Sequence, residues 1–354
     1  MRRLIWIAVL LLAIGLLALP ALAQETTLAG VIAERAAAET PELSALLAAL
    51  QAADLALLEA LDDPEASLTI FAPSDAAFAA VQAAMGDEVY AALLADPAQI
   101  GDLLRFHIVT GAFDYAALNA STEALSALPF AQSTSLRITL PTLHGQHVDV
   151  MPGFESLSID RASLTPANAD ILASNGVIHV IDAMLQPEAT TLGDIVANVG
   201  STANSQFTLM LAALDGAGLL ETLADPANDP VTLFLPTDTA FSAALAEMGI
   251  TADDLLADSE LLTRIVNTHL VPGRVYAGDL GGAASADPAP AWLAGFDADG
   301  NALINTLGGA TLTFGRGANG QPQINGGNLF VNDVDGANGV IYVVDKLLQP
   351  PAGE

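Results

Sequence analysis

The chain has 354 residues, 52% of them apolar, with 41 Asp and Glu against 10 Lys and Arg, a formal net charge of −31, and no cysteine. That length allows about two domains, each able to bury its own core. The apolar content excludes a disordered acidic chain; the missing cysteines exclude disulfides, thiolate nucleophiles and cysteine metal sites; the acid excess excludes nucleic acid, heparin-like polyanions and anionic lipid as natural partners.

Arg2 and Arg3 precede an apolar run from Leu4 to Leu17, and "ALPALAQ" follows, with Ala21-Leu22-Ala23 in the small-x-small pattern of a cleavage site. Residues 1–23 therefore read as a secretory signal peptide cut before Gln24. Loss of the two arginines takes the formal charge from −31 to −33. The alternative is an uncleaved anchor, because Leu4 to Ala23 is close to the ~20 residues that span a bilayer. Either reading places the rest of the chain outside the cytoplasm, as a secreted, periplasmic or cell-surface protein.

The elements then follow in order. "TPELSALLAALQAADLALLEAL" has apolar spacing near 3.6 residues, the period of a helix. "LTIFAPSDAAF", Leu68 to Phe78, is an apolar, β-rich run ended by Pro73, which has no N–H to give a ladder. Ser74 or Asp75 then caps the helix "DAAFAAVQAAM", and Phe78 faces the core from its first turn. "LLRFHIVTGAF" sets His107 in an apolar stretch, and "NGVIHVIDAMLQP" carries Asn175, Gly176, His179 and Asp182.

Each of these landmarks returns. "TTLAGVI" at Thr26 reappears as "TTLGDIV" at Thr190. "VTLFLPTDTAF" repeats the proline turn with Pro236, Thr237, Asp238 and Phe241, and Pro236 lies 163 residues after Pro73. His269 in "IVNTHLVPGRVY" lies 162 after His107; Asn338, Gly339 and Asp345 in "NGVIYVVDKLLQP" each lie 163 after their counterparts. A steady offset over so many landmarks marks a duplicated domain, with copies at 24–187 and 188–351 joined by the polar stretch Gln186 to Thr190. In each copy helices come first and strands later, as in "ALINTLGGATLTFGRG", which points to an α+β fold.

The proline-turn block, the histidine segment and the "NGVIHVID" block resemble the three sequence blocks of the fasciclin domain family, in the family's order and twice over, across about Thr26 to Pro350. The resemblance implies two tandem fasciclin-like domains, each a helical cluster packed on a β-sandwich-like wedge. It implies extracellular adhesion without catalysis or cofactor. It also implies that His107 and His269 are structural, bonded across the fold close to the adhesive surface, which makes them candidate binding residues as well. "NADIL" resembles an Asp-Ile motif through which some animal fasciclin domains engage integrins, which makes Asp170 and Ile171, and Asp333 and Val334 in the second copy, candidate binding residues. The competing reading is a strand edge with one outward acid.

Parts of the sequence also resemble sites for other chemistries. Ser74, His107 and Asp182 supply the residue types of a hydrolase triad, but no Gly-x-Ser-x-Gly elbow is present, and the second copy replaces the serine by Thr237. A nucleophile does not exchange so freely, whereas a helix cap does. "HGQHVD" offers His144, His147 and Asp149 on a hairpin, a set suited to zinc or copper, yet the second copy has "LGGATLT" there, and a solvated hairpin is the expectation. "FDADGNA" starts like a calcium loop at Asp297, Asp299 and Asn301 but has Ala302 and Gly308 where such a loop needs Gly and Glu. It reads as a tight turn, as does "NDVDGANG". Asn119-Ala120-Ser121 is a glycosylation sequon.

The expected function is thus a secreted or cell-surface adhesion protein of matrix or biofilm, binding a surface protein or polysaccharide, with no enzyme activity, metal or cofactor. The alternative is a carrier holding an apolar lipid or pigment in a groove between helices and sheet.

Overall fold

The computed structural model describes residues 26–126, 138–153, 155–276, 293–317 and 321–350; the expected signal peptide, residues 1–23, lies outside them. The first repeat opens with helices α1 (Leu28–Ala36), α2 (Ser44–Ala52) and α3 (Leu55–Asp62), then strand β1 (Leu68–Pro73). Helices α4 (Asp75–Met85), α5 (Asp87–Leu94) and α6 (Pro97–Arg105) follow, then β2 (Ile108–Thr110) and α7 (Tyr115–Ser126). The remainder is β: β3 (Ile138–Pro141), β4 (His147–Pro152), β5 (Leu157–Ile159), β6 (Ala162–Leu164), β7 (Ile171–Ala173) and β8 (Gly176–Ile181).

The second repeat retraces this order. Helices α8 (Leu192–Gly200), α9 (Thr208–Gly216) and α10 (Leu220–Ala224) lead to β9 (Val231–Pro236). Next come α11 (Asp238–Met248), α12 (Ala252–Ala257), α13 (Ser259–Thr268) and β10 (Leu270–Pro272). Strands β11 (Leu293–Phe296), β12 (Ala302–Asn305), β13 (Thr311–Arg316), β14 (Pro322–Ile324), β15 (Gly327–Gly336) and β16 (Gly339–Val344) complete it. The fold is α+β and tandem.

In the first repeat the strands form two sheets, β2-β1-β8-β7 and β3-β4-β5-β6. In the second, the long strand β15 joins both parts into one sheet ordered β10-β9-β16-β15-β14-β13-β12-β11. The first and last strands of each repeat lie side by side and parallel: β1 along β8, from Leu68↔Gly176 to Pro73↔Ile181, and β9 along β16. This pairing explains the uninterrupted apolar run of "LTIFAP". Every residue of β1 is buried, because Ile70 and Ala72 face the helices while Phe71 faces the second sheet. A strand covered on both faces has no polar side to alternate with.

Helices and sheet thus enclose two cores per repeat. In the first, Leu28, Leu46, Leu50, Phe78, Ile100 and Leu104 pack on one side of β1, and Phe106, Val148, Val150, Leu157 and Ile159 on the other. The second repeat has the same pair of clusters around Phe241 and around Phe234 and Tyr342.

Candidate functional site

The proline turn divides its two polar residues between two helices. Ser74 is the N-cap of α4, its oxygen accepting the N–H of Ala77 at 3.2 Å, and Thr237 does the same for α11 through Ala240. Asp75 does not cap that helix. Its carboxylate reaches the start of α2, accepting the Ala45 N–H at 2.8 Å and the Ser44 hydroxyl at 2.6 Å. Asp238 likewise accepts from Thr208 and Leu209 at the start of α9. The residues at those N-cap positions, Leu43 and Phe207, have no side-chain oxygen to offer, so the neighbouring turn supplies it. The sequence reading assigned Ser74 and Asp75 to one helix; the structure corrects this.

The "Asn-Gly" block serves the same framework. Buried Asn175 accepts the Leu28 N–H at the start of α1 and donates to the carbonyls of Leu61 and Asp63 at the end of α3. Asn338 repeats all three bonds with Leu192, Leu223 and Asp225. A Cβ on Gly176 would lie 2.0 Å from the Leu68 carbonyl oxygen, and one on Gly339 equally close to that of Val231, so the parallel strand contact requires glycine. His179 stacks on Phe71 and donates from Nε2 to the Phe113 carbonyl at 2.8 Å. Tyr342 takes its place in the second repeat, stacked on Phe234 with its hydroxyl donating to the Val275 carbonyl. Asp182 accepts the Ser163 N–H, and Asp345 accepts two bonds from Asn328.

His107 and His269 are enclosed, 1% and 0% exposed. In each, Nδ1 donates to a carbonyl one helical turn back, Leu103 or Ile265. Nε2 accepts a backbone N–H from beyond the last strand, Leu185 or Leu348. Burial lowers both rings to a pKa of about 4, so they are neutral at pH 7. With both nitrogens committed to backbone, neither ring acts as base to Ser74 or Thr237.

Asp170 and Ile171 lie on an open groove of about 820 Å³. Asp170 takes a left-handed backbone, φ 60°, between the 3₁₀ turn at Pro166–Asn168 and β7. Its carboxylate accepts the Tyr115 N–H at 2.7 Å, and its own N–H donates to Nδ1 of His179. Ile171 starts β7 opposite Ile178. Strand β7 is the outer strand of its sheet, and its Leu172 is 70% exposed. The opposite wall carries Val31, Glu34, Arg35 and Glu42, with an Arg35–Glu42 ion pair at 3.4 Å.

A sequence model of the Fasciclin domain matches residues 41–187 and again 205–350. The chain belongs to the fasciclin domain family. Among relatives, "Protein sll1483" of Synechocystis sp. is 29% identical over 174 residues, 49% of this chain and 80% of that one. Transforming growth factor-beta-induced protein ig-h3 of Sus scrofa is 25% identical over 297 residues, which cover 84% of this chain but 35% of the relative. Among solved structures, the FAS1 domain pair of the insect cell adhesion molecule Fasciclin I aligns over 80% of this chain and 88% of its own, at 18% identity and a TM-score of 0.34.

Within these fasciclin domains the remaining candidates find other places. His107 and His269, named as contact residues from sequence, are too deeply enclosed to touch a partner. Val334 lies in β15 opposite Ile341 and packs toward the helix-side core; of Asp333 the described structure gives only its backbone in β15. "HGQHVD" forms the expected hairpin, with β3 and β4 paired from Ile138↔Val150 to Pro141↔His147. It is not simply solvated. The His147 ring meets the ring of Tyr276, from the second fasciclin domain, at a centroid distance of 3.8 Å. Burial and the Arg274 guanidinium hold His147 down at about 3. Beside it Gln146 clamps the linker, donating to the Glu188 carbonyl and accepting the Glu188 N–H. Among the described residues no cluster of His, Asp and Glu has the arrangement of a metal site. In "FDADGNA" the Asp297 carboxylate is filled by Asp299 and Asn301, which closes the β11–β12 turn. Nothing in the sequence signalled Gln146 or Tyr276, whose roles depend on contacts between domains.

Proposed function

We propose that this chain is an exported adhesion protein, and that the groove of the first fasciclin domain beside Asp170 and Ile171 is where it holds a partner protein. Membership of the fasciclin domain family supports an adhesion-type role. The observation that carries the site is the outer edge of β7: Ile171–Ala173 pair with β8 on one side only, and Leu172 stands 70% exposed in the groove. An unpaired strand edge has free N–H and C=O groups that accept an extended segment of another chain, and an exposed leucine adds an apolar anchor. The charged wall of Glu34, Arg35 and Glu42 suits a peptide better than a lipid or pigment, so the carrier reading draws no support from this groove. The signal segment supports export, and no described helix is long and apolar enough to cross a membrane.

The test is attachment of host cells to wells coated with the exported chain. Leu172→Glu, placed on an exposed side chain, should abolish attachment without lowering Tm. Equal attachment by the variant would refute the groove, and no attachment by the parent chain would refute adhesion.

A further inference from the structure

The second fasciclin domain carries a polar face that the groove reading does not use. The backbone register sets out its rows. Asn301, Gly315, Gln323 and Asn328 lie side by side across β12 to β15, with Thr313 beside Asn325 one step along. Their alternate neighbours Ala302, Phe314, Ile324 and Leu329 are buried, so this row points outward. Asn301, Thr313, Gly315, Gln323 and Asn325 line a shallow cleft of about 460 Å³ together with Gly326 and Lys346, the chain's one lysine.

Three properties of the cleft select a ligand. First, no carboxylate lines it, in a chain with 41 acidic residues. The nearest carboxylates are occupied, Asp297 by Asn301 and Asp345 by Asn328, and the Lys346 ammonium donates to the Asn325 carbonyl. Second, its hydrogen-bonding capacity is only half used. Asn301 spends its amide N–H, Gln323 its amide N–H on Asn328, and Asn325 its amide oxygen on the Thr313 N–H. Among the described residues the Asn301 and Gln323 amide oxygens, the Asn325 amide N–H and the Thr313 hydroxyl bond no other protein group. Third, the floor is backbone. A Cβ on Gly315 would meet the Asn301 amide oxygen at 2.2 Å, so only glycine leaves that amide lying across the strand. Two residues beyond Asn328, at a bulge of β15, stands Phe330, 55% exposed.

Mixed amide and hydroxyl donors and acceptors match sugar hydroxyls, each of which donates and accepts. A flat exposed ring beside them suits the aliphatic C–H face of a pyranose. A polyanion would meet a single ammonium on a strongly acidic chain; an apolar ligand would strand the amides. We propose that this face of the second domain binds a neutral polysaccharide, its hydroxyls on Asn301, Thr313, Gln323 and Asn325 and one ring on Phe330.

The experiment is a binding screen of the exported chain on immobilised neutral, acidic and amino-sugar polysaccharides, followed by titration on the best polymer. Neutral polymers should bind. Thr313→Val, which removes only a hydroxyl, and Gln323→Ala should each weaken binding about 2- to 10-fold, the equivalent of a lost neutral hydrogen bond. Phe330→Ala should weaken it at least as much, and Leu172→Glu should leave it unchanged. Melting curves of the variants exclude unfolding as the cause, and Thr313→Val conserves shape if Phe330→Ala proves unstable. Failure of every neutral polymer, a preference for acidic ones, or neutral binding indifferent to Thr313→Val and Gln323→Ala would each overturn the proposal.

Discussion

Replacing Asp75 by alanine should loosen a helix that Asp75 is not part of. The carboxylate accepts two bonds at the start of α2, from the Ala45 N–H and the Ser44 hydroxyl, while α4, which begins at Asp75, is capped by Ser74. A lost helix cap costs ~0.5–2 kcal/mol and a hydrogen bond to a charged group ~1.5–3 kcal/mol. The site is partly exposed, so Asp75→Ala should cost about 2 kcal/mol, or about 4–8 °C in Tm for a domain of this size. Asp75→Asn retains an acceptor for Ala45 and should cost about 1 kcal/mol or less. Native-state amide exchange locates the damage. Asp75→Ala should speed exchange at Ala45 and Leu46, whereas Ser74→Ala should speed it at Ala77. Faster exchange at Ala77 with Ala45 unchanged in Asp75→Ala would refute the division of labour in the turn.

Four further outcomes are expected. Titration of stability should show a loss as pH falls from 6.5 to 5: all five histidines have lowered pKa values in the fold, so the unfolded chain binds more protons in that window and folding weakens. His107 and His269, at about 4, should each contribute about 2 kcal/mol of that loss at pH 5, measured as urea midpoints, with a shallower slope in His107→Gln. His107→Ala should cost on the order of 2–4 kcal/mol, from a cavity and an unpaired Leu185 N–H, read by thermal melting. Gly176→Ala should be among the most damaging single changes in the first domain, because its Cβ meets the Leu68 carbonyl; expression and far-UV melting test it. His147→Ala, which removes the half-buried ring that meets Tyr276, should leave each domain folded but free the two to move, seen as a larger radius of gyration in solution scattering.

How much of this was legible in the sequence depended on whether a residue's partner was local. The duplication, the α+β order and the Pro-Ser/Thr-Asp turn could be read because a cap and a strand end act within a few residues. The His-to-Tyr exchange at 179 and 342 was not read as one role, because both rings stack on a phenylalanine of the neighbouring strand and donate to a distant carbonyl. Asp75 was misassigned for the same reason: its donors lie 30 residues upstream. The parallel pairing of β1 with β8 joins the two ends of a repeat, which helix and strand periods do not encode. His147 looked like a solvated hairpin residue because its neighbour belongs to the other domain. The Asn–Gln–Thr face passes in sequence for ordinary outward strand positions until the register aligns it.

Adhesion through the β7 edge is tested most simply by one comparison. Wells coated at equal density with the parent chain and with Leu172→Glu are compared for retention of host cells under flow. The parent should retain cells and the variant should lose them, with both proteins melting at the same temperature. Equal retention on both surfaces would contradict it.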